Sequence, residues 1–202
     1  DRVAQYAANA ERRALASETG SANDFLRGLD MTVRYGRFAT LNVPRVAQLI
    51  NKTNQFNPTA RRVTSEEVAS IAADPGTISL QFRLLDRFGD NGLVSAMILK
   101  PVAGEPDVRE IDIWVMSCRV FGRQLEHEAM NIAVEAARSA GIRELRAVYL
   151  PTAKNGVIAG LYRSLGFLAV ADDSLPTGGT RWALRLESYT PIETYVARAG
   201  DA

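Results

Sequence analysis

The stretch "REIDIWVMSCRVFGRQLEHEAM", residues 109–130, joins a strand pattern to a helix pattern and decides the fold class. Residues 109–118 are rich in the β-branched and aromatic side chains that favour strands. The run that starts at Gly122 carries its apolar residues at helical spacing and ends at Gly141. A strand that leads into a helix aims the unpaired N–H groups of the helix start beyond the strand. The stretch therefore predicts one strand–helix unit of an α/β protein.

The chain on either side of this unit continues the same architecture. Before it, the residue patterns predict a strand, two amphipathic helices and a hairpin that turns around Asn91 and Gly92. After it, they predict a strand, a short helix and two further strands, at 144–150, 155–166, 167–171 and 180–186. This order predicts an α/β fold with a mixed central sheet and helices on both faces. Helical patterns at the start add an N-terminal helical extension, residues 1–30, to a main domain, residues 31–202.

The composition excludes several classes of protein. Twenty-four basic and twenty-three acidic residues give a net charge of +1, which leaves no basic surface for nucleic acid. A single cysteine excludes an internal disulfide, and one cysteine with one histidine argues against a metal site. No apolar run reaches the length of a membrane span. We expect a cytoplasmic domain without metal, nucleic-acid or membrane partners.

Two features of the junction suggest chemistry. Gly122 stands between Arg119 and Arg123, which favours phosphate binding at the helix start, although a plain turn with solvated arginines explains the same residues. Cys118 precedes this loop, and nearby arginines and a helix start would favour its nucleophilic thiolate form. The alternative is that Cys118 is a small buried apolar residue, as most free cysteines are.

A second stretch, "KNGVIAGLYRSLGF" (154–167), strengthens the phosphate interpretation. Together with "RVFGRQ" it resembles, over about residues 31–187, the acetyltransferase superfamily known as GNAT. The resemblance implies that the loop around Gly122 binds the diphosphate of coenzyme A and that Tyr162 protonates the departing thiolate. It also implies candidate roles for Asn155 in catalysis and for Arg119 and Gln124 in binding the phosphate. Arg123 beside Gly122 and Lys154 beside Asn155 are further phosphate candidates, although an exposed lysine at a helix start is common.

Gln124 departs from the small residue that the GNAT loop carries at this place. The larger side chain of Gln124 is expected to crowd a diphosphate in the loop around Gly122. The single phosphate of a phosphopantetheine arm on an acyl carrier protein would be less crowded. We therefore expect either coenzyme A or carrier-bound phosphopantetheine as the thiol-bearing group, with the carrier favoured.

A narrower resemblance points in the same direction. Four stretches in chain order are similar to the C-terminal half of FkbH-like proteins of polyketide pathways: "RVAQLINKTNQFNPTARR", "DRFGDNGLV", "MSCRVFGR" and "LPTAKN". The resemblance implies loading of a glyceryl unit, derived from a glycolytic acyl phosphate, onto an acyl carrier protein. It also implies a phosphatase-like half of the HAD superfamily with an Asp-x-Asp-x-Thr motif. That motif does not occur in these 202 residues, so we expect the HAD-like domain as a partner.

The amide-rich segment "NKTNQFN", residues 51–57, is the candidate acyl-binding region. Its polar side chains suit backbone groups at the end of a helix, and they equally suit a pocket for a small hydroxylated acyl unit. The resemblance favours the pocket, whose candidate residues are Asn51, Asn54, Gln55 and Asn57. It also places Cys118 at the reaction centre, as the candidate residue for carrying the acyl group.

His127 is a weaker candidate for a general base. At about 100° per residue it lies about 200° from Leu125, on the side of the helix away from the apolar stripe. This geometry predicts an exposed histidine. Glu126 either anchors the loop or simply places a negative charge near the helix start.

Three functions fit these patterns. The first is an acyltransferase in which a pantetheine arm enters where the strand that ends at Cys118 parts from strand 144–150. The second is a non-catalytic module that binds the carrier protein for the HAD-like domain. The third is a conventional N-acetyltransferase that uses acetyl-coenzyme A, which Gln124 and the lack of an obvious base disfavour.

Overall fold

The computed structural model describes residues 2–200, and the backbone alone for residues 2–6. An eight-stranded mixed sheet forms the centre, in the order β6-β7-β5-β4-β3-β2-β1-β8. The strands are β1 (Met31–Gly36), β2 (Ile78–Asp86), β3 (Gly89–Val102), β4 (Glu105–Met116), β5 (Glu144–Tyr149), β6 (Leu168–Val170), β7 (Thr180–Arg185) and β8 (Val196–Ala199). The helices are α1 (Arg2–Glu18), α2 (Ala22–Gly28), α3 (Val43–Lys52), α4 (Ser65–Ala73), α5 (Leu125–Ser139) and α6 (Leu161–Ser164).

Helices cover both faces of the sheet, as predicted. Ile113 and Val115 of β4 are buried in a core with α3 and α4. Trp114 and Met116, which point to the other face, are buried in a second core with α5 and α6. The two cores explain why β4 is apolar at every position from 113 to 116, since alternate side chains of a strand enter opposite faces.

The hairpin turn lies at a different place from the prediction. β2 and β3 are joined at Arg87 and Phe88, so Asn91 and Gly92 fall inside β3. The Asp86 carboxylate explains the shift, because it accepts hydrogen bonds from the Phe88 N–H (3.0 Å) and from the Asn91 side chain (3.0 Å). A buried side-chain anchor thus outweighs the local turn preference of Asn-Gly.

Three other elements differ from their predicted form. The helix expected from Gly122 begins at Leu125, and the helix expected at 155–166 is a 3-10 turn followed by the four residues of α6. An eighth strand, β8, pairs in parallel with β1, with Met31 opposite Val196. The sequence of β8 carries little strand signal because it is a short edge strand with exposed positions.

The two N-terminal helices pack on the sheet. Leu26 and Leu29 are buried in the same core as α5. Arg12 of α1 forms a bidentate ion pair with the fully buried Asp86 carboxylate, at 2.8 Å for each hydrogen bond. Within residues 2–200, no helix is long and apolar enough to cross a membrane, and no cluster of three metal-binding side chains occurs.

Candidate active site

The sheet opens between β4 and β5. The two strands are parallel, and their pairing begins with Val108 opposite Glu144. It ends with Ile111 opposite Ala147. β4 nevertheless continues to Met116 and β5 to Tyr149. The carboxyl ends of the two strands therefore diverge, which leaves a gap at the predicted junction.

A segment of the chain itself bridges this gap. The Phe56 carbonyl accepts a hydrogen bond from the Met116 N–H (3.2 Å), and the Pro58 carbonyl accepts one from the Leu150 N–H (2.8 Å). Phe56, Asn57 and Pro58 are all buried. We define residues 56–58 as the bridging segment. It takes the place next to β4 that we expected for a pantetheine arm, so a ligand must approach on one side of this segment.

Asn155 holds the bridging segment in place. Its side-chain N–H groups donate to the carbonyls of Asn57 (3.1 Å) and Leu150 (2.9 Å). Its side-chain oxygen accepts from the Thr152 N–H (2.7 Å) and the Tyr149 hydroxyl (3.3 Å). An asparagine side chain can make about four such bonds, and Asn155 is fully buried. This geometry makes Asn155 a positioning residue and leaves it no capacity to contact a substrate.

A pocket of about 720 Å³ lies on the α3 side of the bridging segment. Four basic side chains line it, and no acidic residue is among its described lining. We call it the cationic pocket. Its basic residues are Arg45, Lys52, Arg119 and Lys154. Because these four positive charges have no carboxylate beside them in the described lining, the pocket has a positive potential that favours anionic ligands.

Cys118 lies in the cationic pocket. It is the first residue of a 3-10 turn that Ser117 separates from β4, and it is exposed. The alternative of a small buried apolar residue is therefore wrong for this cysteine. A thiol in an open pocket lined by cations can meet an electrophilic ligand.

Several predicted site residues meet Cys118 in this pocket. Asn54, Gln55, Lys154 and Arg119 all line it. Arg119 also donates to the Ser117 hydroxyl (3.2 Å), which keeps its side chain beside the strand end. The structure thus brings together residues from three separate stretches of sequence.

Two of the four predicted amide residues lie elsewhere. Asn51 pairs with the backbone of Val63, donating at 2.7 Å and accepting at 3.0 Å. Asn57 is buried, and its side-chain nitrogen donates to the carbonyls of Thr53 and Arg61, each at 3.3 Å. Both side chains satisfy backbone groups near the end of α3, which was the structural alternative for this segment.

Sequence patterns missed two basic residues of the cationic pocket. Arg45 and Lys52 lie on α3 together with Gln48 and Leu49, and all four line the pocket. Gln48, Leu49 and Lys52 follow Arg45 by three, four and seven residues, and this spacing places all four on one helical face. That spacing was visible in the sequence, but the apolar face of the same helix gave the stronger signal.

A second pocket, of about 360 Å³, lies between the start of α5 and α6. Phe56, Phe121, Gly122 and Leu161 contribute to its lining, and Met116 lines both pockets. No lysine or arginine is among the described residues that line it. We call it the neutral pocket.

Arg123, a predicted phosphate ligand, is committed to an internal ion pair. Its guanidinium donates to the Asp86 carboxylate (3.0 Å) and to the Arg119 carbonyl (2.9 Å). Burial, and then repulsion from Arg12, lower the pKa of Arg123. Asp86 therefore sits between two guanidinium groups. Arg123 stabilises the loop from inside, and its assignment to phosphate binding is wrong in this structure.

Gln124 does not crowd the loop as expected. Its backbone is left-handed, with φ of 61°, and its side-chain oxygen accepts a hydrogen bond from the Tyr195 N–H at 3.0 Å. Gln124 is not among the residues that line the neutral pocket. The side chain is turned toward the C-terminal segment, so any selectivity at this loop must have a cause other than its bulk.

His127 lines the neutral pocket and is half-buried, whereas the helical geometry predicted an exposed side chain. Its Nδ1 atom is buried and has no hydrogen-bond partner within residues 2–200. Glu126 lines the same pocket, and its Oε2 atom is buried and also lacks a described partner. The apolar stripe shows only which side of α5 faces the sheet. Residues 157–164 lie beside another side of the helix, the side that carries His127, and so reduce its exposure.

Tyr162 is deeply buried. Its ring packs against Phe167 (5.2 Å between centroids) and Trp114 (6.4 Å). Burial, and then the negative charge of Glu110, raise the pKa of Tyr162. Its hydroxyl has no hydrogen-bond partner among the described residues, and it lines neither pocket. Its role as a proton donor stays a prediction.

The mixed sheet with helices on both faces is shared with solved structures of acetyltransferases. The GNAT domain of PAT from S. lividans is 15% identical with a TM-score of 0.59, and the match covers 76% of this chain and 90% of that one. The ribosomal-protein-S18-alanine N-acetyltransferase from Escherichia coli is 15% identical with a TM-score of 0.57, covering 77% and 94%. This chain has the GNAT fold.

A third solved structure that this chain resembles contains ligands. The N-acetylglutamate synthase from Neisseria gonorrhoeae, in complex with coenzyme A and N-acetylglutamate, is 18% identical with a TM-score of 0.54. The match covers 76% of this chain and 35% of that chain. No family model and no curated protein matches the sequence. The comparisons therefore establish the fold, and function has to be argued from the pockets.

Proposed function

We propose that this GNAT-fold domain is an acyltransferase that carries a small acyl unit on Cys118 and passes it to the phosphopantetheine thiol of an acyl carrier protein. The observation that carries the proposal is the exposed Cys118 in a cationic pocket that also contains Asn54, Gln55 and Lys154. The resemblance to FkbH-like proteins supports a glyceryl unit and a polyketide pathway. A thiol that must stay reduced also fits the cytoplasm.

The loading step uses the charge of the pocket. The Cys118 thiolate attacks the carbonyl carbon of an acyl phosphate, the bond from that carbon to the phosphate oxygen breaks, and inorganic phosphate leaves. Lys52, Arg119 and Lys154 line the pocket in which this negative charge develops. The polar side chains of Asn54 and Gln55 offer hydrogen bonds to hydroxyl groups of the acyl unit. A HAD-like partner domain would prepare or deliver the acyl donor.

The transfer step exchanges one thioester for another. The thiolate of the pantetheine arm attacks the carbonyl carbon on Cys118, the bond between that carbon and the Cys118 sulfur breaks, and the Cys118 thiolate is regenerated. Such an exchange is nearly balanced, so it depends on positioning more than on strong activation. Met116 lines both pockets and lies two residues before Cys118. An arm in the neutral pocket would thus deliver its thiol next to the cationic pocket.

Intact-mass spectrometry tests the proposal. We expect the domain, incubated with an acyl phosphate, to gain one acyl mass, and to lose it when phosphopantetheinylated carrier protein is added. Carrier protein without the arm should not remove it. The chain contains one cysteine, so Cys118→Ala should abolish the adduct. Ala153→Ser is the matched control, because Ala153 lines the same pocket, is exposed and makes no side-chain hydrogen bond, so this change should leave loading intact.

Two outcomes would overturn the proposal. Loading of Cys118→Ala to the extent seen for the unchanged chain would show that the acyl group is not on this thiol. Binding of the carrier without any adduct would favour the non-catalytic carrier-binding module.

A conventional N-acetyltransferase is the second candidate, and the acetyltransferases among the structural neighbours favour it. Its test is release of coenzyme A from acetyl-coenzyme A in the presence of amines. Amine-dependent release that Cys118→Ala preserves would support this candidate against the first. We expect no such release.

A further inference from the structure

The sheet has an open face over β5, β6 and β7, on the side opposite α5. The core beneath α3 and α4 draws on β3 and β4, and none of its described residues belongs to these three strands. The strands form there a depression of about 790 Å³, whose lining we define as the open face. None of its described lining residues borders the cationic pocket or the neutral pocket. This surface is therefore separate from the candidate active site.

Two large apolar side chains project from β6 onto the open face. Leu168 pairs with Ala183 of β7, which pairs in turn with Arg146 of β5, so these side chains form one row across the face. Val170 lies two residues further along β6 and points the same way. Leu168 is 75% exposed and Val170 is 45% exposed. Single exposed apolar residues are ordinary, but two together at the edge of a sheet form a patch that favours association.

The backbone of β6 is also open on one side. β6 is the first strand in the order of the sheet, and within residues 2–200 it pairs with β7 alone. An edge strand presents N–H and C=O groups that a further strand can join. Proteins often protect such an edge with charged side chains, whereas Leu168, Ala169 and Val170 carry no charge. The edge is thus suited to receiving another strand.

We propose that a second copy of this chain joins this edge, with the two β6 strands paired antiparallel about Ala169. A two-fold axis at this position sets Leu168 of each copy directly opposite Val170 of the other. Apolar side chains that lie directly opposite each other on one face stabilise an antiparallel pair. The symmetry makes this contact twice, so the patch of each copy covers the patch of the other.

The charges beside β6 complement each other under the same two-fold axis. Arg163 lies in α6, before β6, and Asp173 lies in the turn after it. Both residues are exposed, and neither forms an ion pair within residues 2–200. Antiparallel pairing sets the segment before β6 in one copy beside the segment after β6 in the other. Arg163 of each copy then lies near Asp173 of the other copy.

The balance of charge on the open face favours a copy of this chain over a partner of one charge sign. Three arginines and three carboxylates line the face, and ion pairs join all six. They are Arg146, Arg181, Arg185, Glu110, Glu144 and Asp172. A balanced face offers no excess charge to a strongly acidic or basic partner such as a nucleic acid. It also does not repel an identical face beside it.

Analytical ultracentrifugation of the full chain over a range of concentrations tests the inference. We expect a reversible dimer with a Kd on the order of 10 µM, because a short edge strand buries little surface. Leu168→Glu should raise this Kd at least about thirtyfold, since the symmetry brings two unpaired charges into an apolar contact.

Leu41→Glu is the matched control. Leu41 is also a highly exposed leucine, at 94%, but it lies in the turn between β1 and α3. The change should leave the Kd within about twofold of the value for the unchanged chain. Both leucines are exposed, so neither variant should lower the midpoint of thermal unfolding by more than about 2 °C.

An exchange of charges tests the antiparallel arrangement. Arg163→Glu and Asp173→Arg, each alone, should raise the Kd about fivefold to tenfold, because each sets like charges together at two places in the dimer. The chain that carries both changes should return to within about twofold of the original Kd, because the opposite charges meet again.

A chain that stays monomeric up to about 200 µM would overturn the inference. A dimer that Leu168→Glu leaves intact would do the same, since it would use another surface. Single charge reversals without effect, or a double variant that dimerises no better than the single ones, would overturn the antiparallel pairing of β6.

Discussion

Single side chains in this protein take their roles from the number of hydrogen bonds they can still make. Asn155 uses all of its capacity inside the fold, whereas the Glu126 Oε2 and His127 Nδ1 atoms are buried without a hydrogen-bond partner among residues 2–200. Cys118 differs from both, since its thiol is exposed to the larger pocket. Residue type alone would have ranked asparagine, histidine and cysteine together as candidates for chemistry.

Asn155→Ala tests the positioning role at this scale. The change removes four side-chain hydrogen bonds, and two of them are the bonds donated to the carbonyls of Asn57 and Leu150. We expect the free energy of unfolding to fall by about 1–3 kcal/mol, measured by urea denaturation. Lys154→Ala, at the exposed neighbouring position, should change it by less than about 0.5 kcal/mol. Equal stability of the two variants would contradict the role of Asn155.

At the scale of elements, one buried carboxylate joins three parts of the fold. Asp86 ends β2, and it binds Arg12 of α1, Asn91 of β3 and Arg123 of the loop before α5. Burial by itself raises the pKa of Asp86, but the hydrogen bonds from Arg12 and Asn91 outweigh it, so the pKa is lowered overall. The loop that shapes the neutral pocket is therefore coupled to the N-terminal helix through a single charge.

Acid should weaken this junction in a defined direction. The folded-state pKa of Asp86 lies below its ordinary value of 3.8. The stabilisation is then fully present above that value and is lost as the pH falls through the lower folded-state pKa. We expect Asp86→Asn to cost about 3–5 kcal/mol of unfolding free energy at pH 7, because it leaves two buried arginines uncompensated. Urea denaturation at a series of pH values measures the difference between variant and unchanged chain.

The same series supplies the control and the contrary outcome. The stability difference between Asp86→Asn and the unchanged chain should begin to shrink below about pH 4, because Asp86 is protonated there in the unfolded chain, and it should go on shrinking until the pH reaches the lower folded-state pKa. Glu135→Gln, at an exposed glutamate, should cost less than about 1 kcal/mol at any pH. A difference for Asp86→Asn that stays constant down to pH 2 would contradict the coupling.

At the scale of the whole molecule, the C-terminal segment holds α5 in place. The Asn131 side chain donates to the Ile192 carbonyl (2.8 Å) and accepts from the Ile192 N–H (2.9 Å) and the Tyr189 hydroxyl (2.7 Å). Gln124 binds the Tyr195 N–H on the same side of the helix. The segment then forms β8 at the edge of the sheet. Both ends of the chain thus support the helix whose start borders the neutral pocket.

Asn131→Ala should release this segment. We expect amide hydrogen exchange at Ile192 to become at least about tenfold faster, because its N–H loses its acceptor. Exchange in β5, on the far side of β4, should stay within about twofold and serves as the internal reference. Unchanged exchange at Ile192 would show that β8 alone fixes the segment.

The sequence by itself determined the α/β class, the mixed sheet and the strand–loop–helix junction that carries Cys118. These features depend on burial periodicity and on turn residues, which act over a few neighbouring positions. The same local patterns located Asn54, Gln55, Arg119 and Lys154, which the structure brings together in one pocket with that cysteine.

Only the tertiary structure decided which polar groups stay available for a ligand. The partner of Asn155 lies 98 residues away at Asn57, and the partner of Arg123 lies 37 residues away at Asp86. His127 faces a pocket because residues around Leu161 cover one side of α5. A side chain's hydrogen bonds and charge pairs depend on distant segments that folding brings close, and no local period encodes those segments.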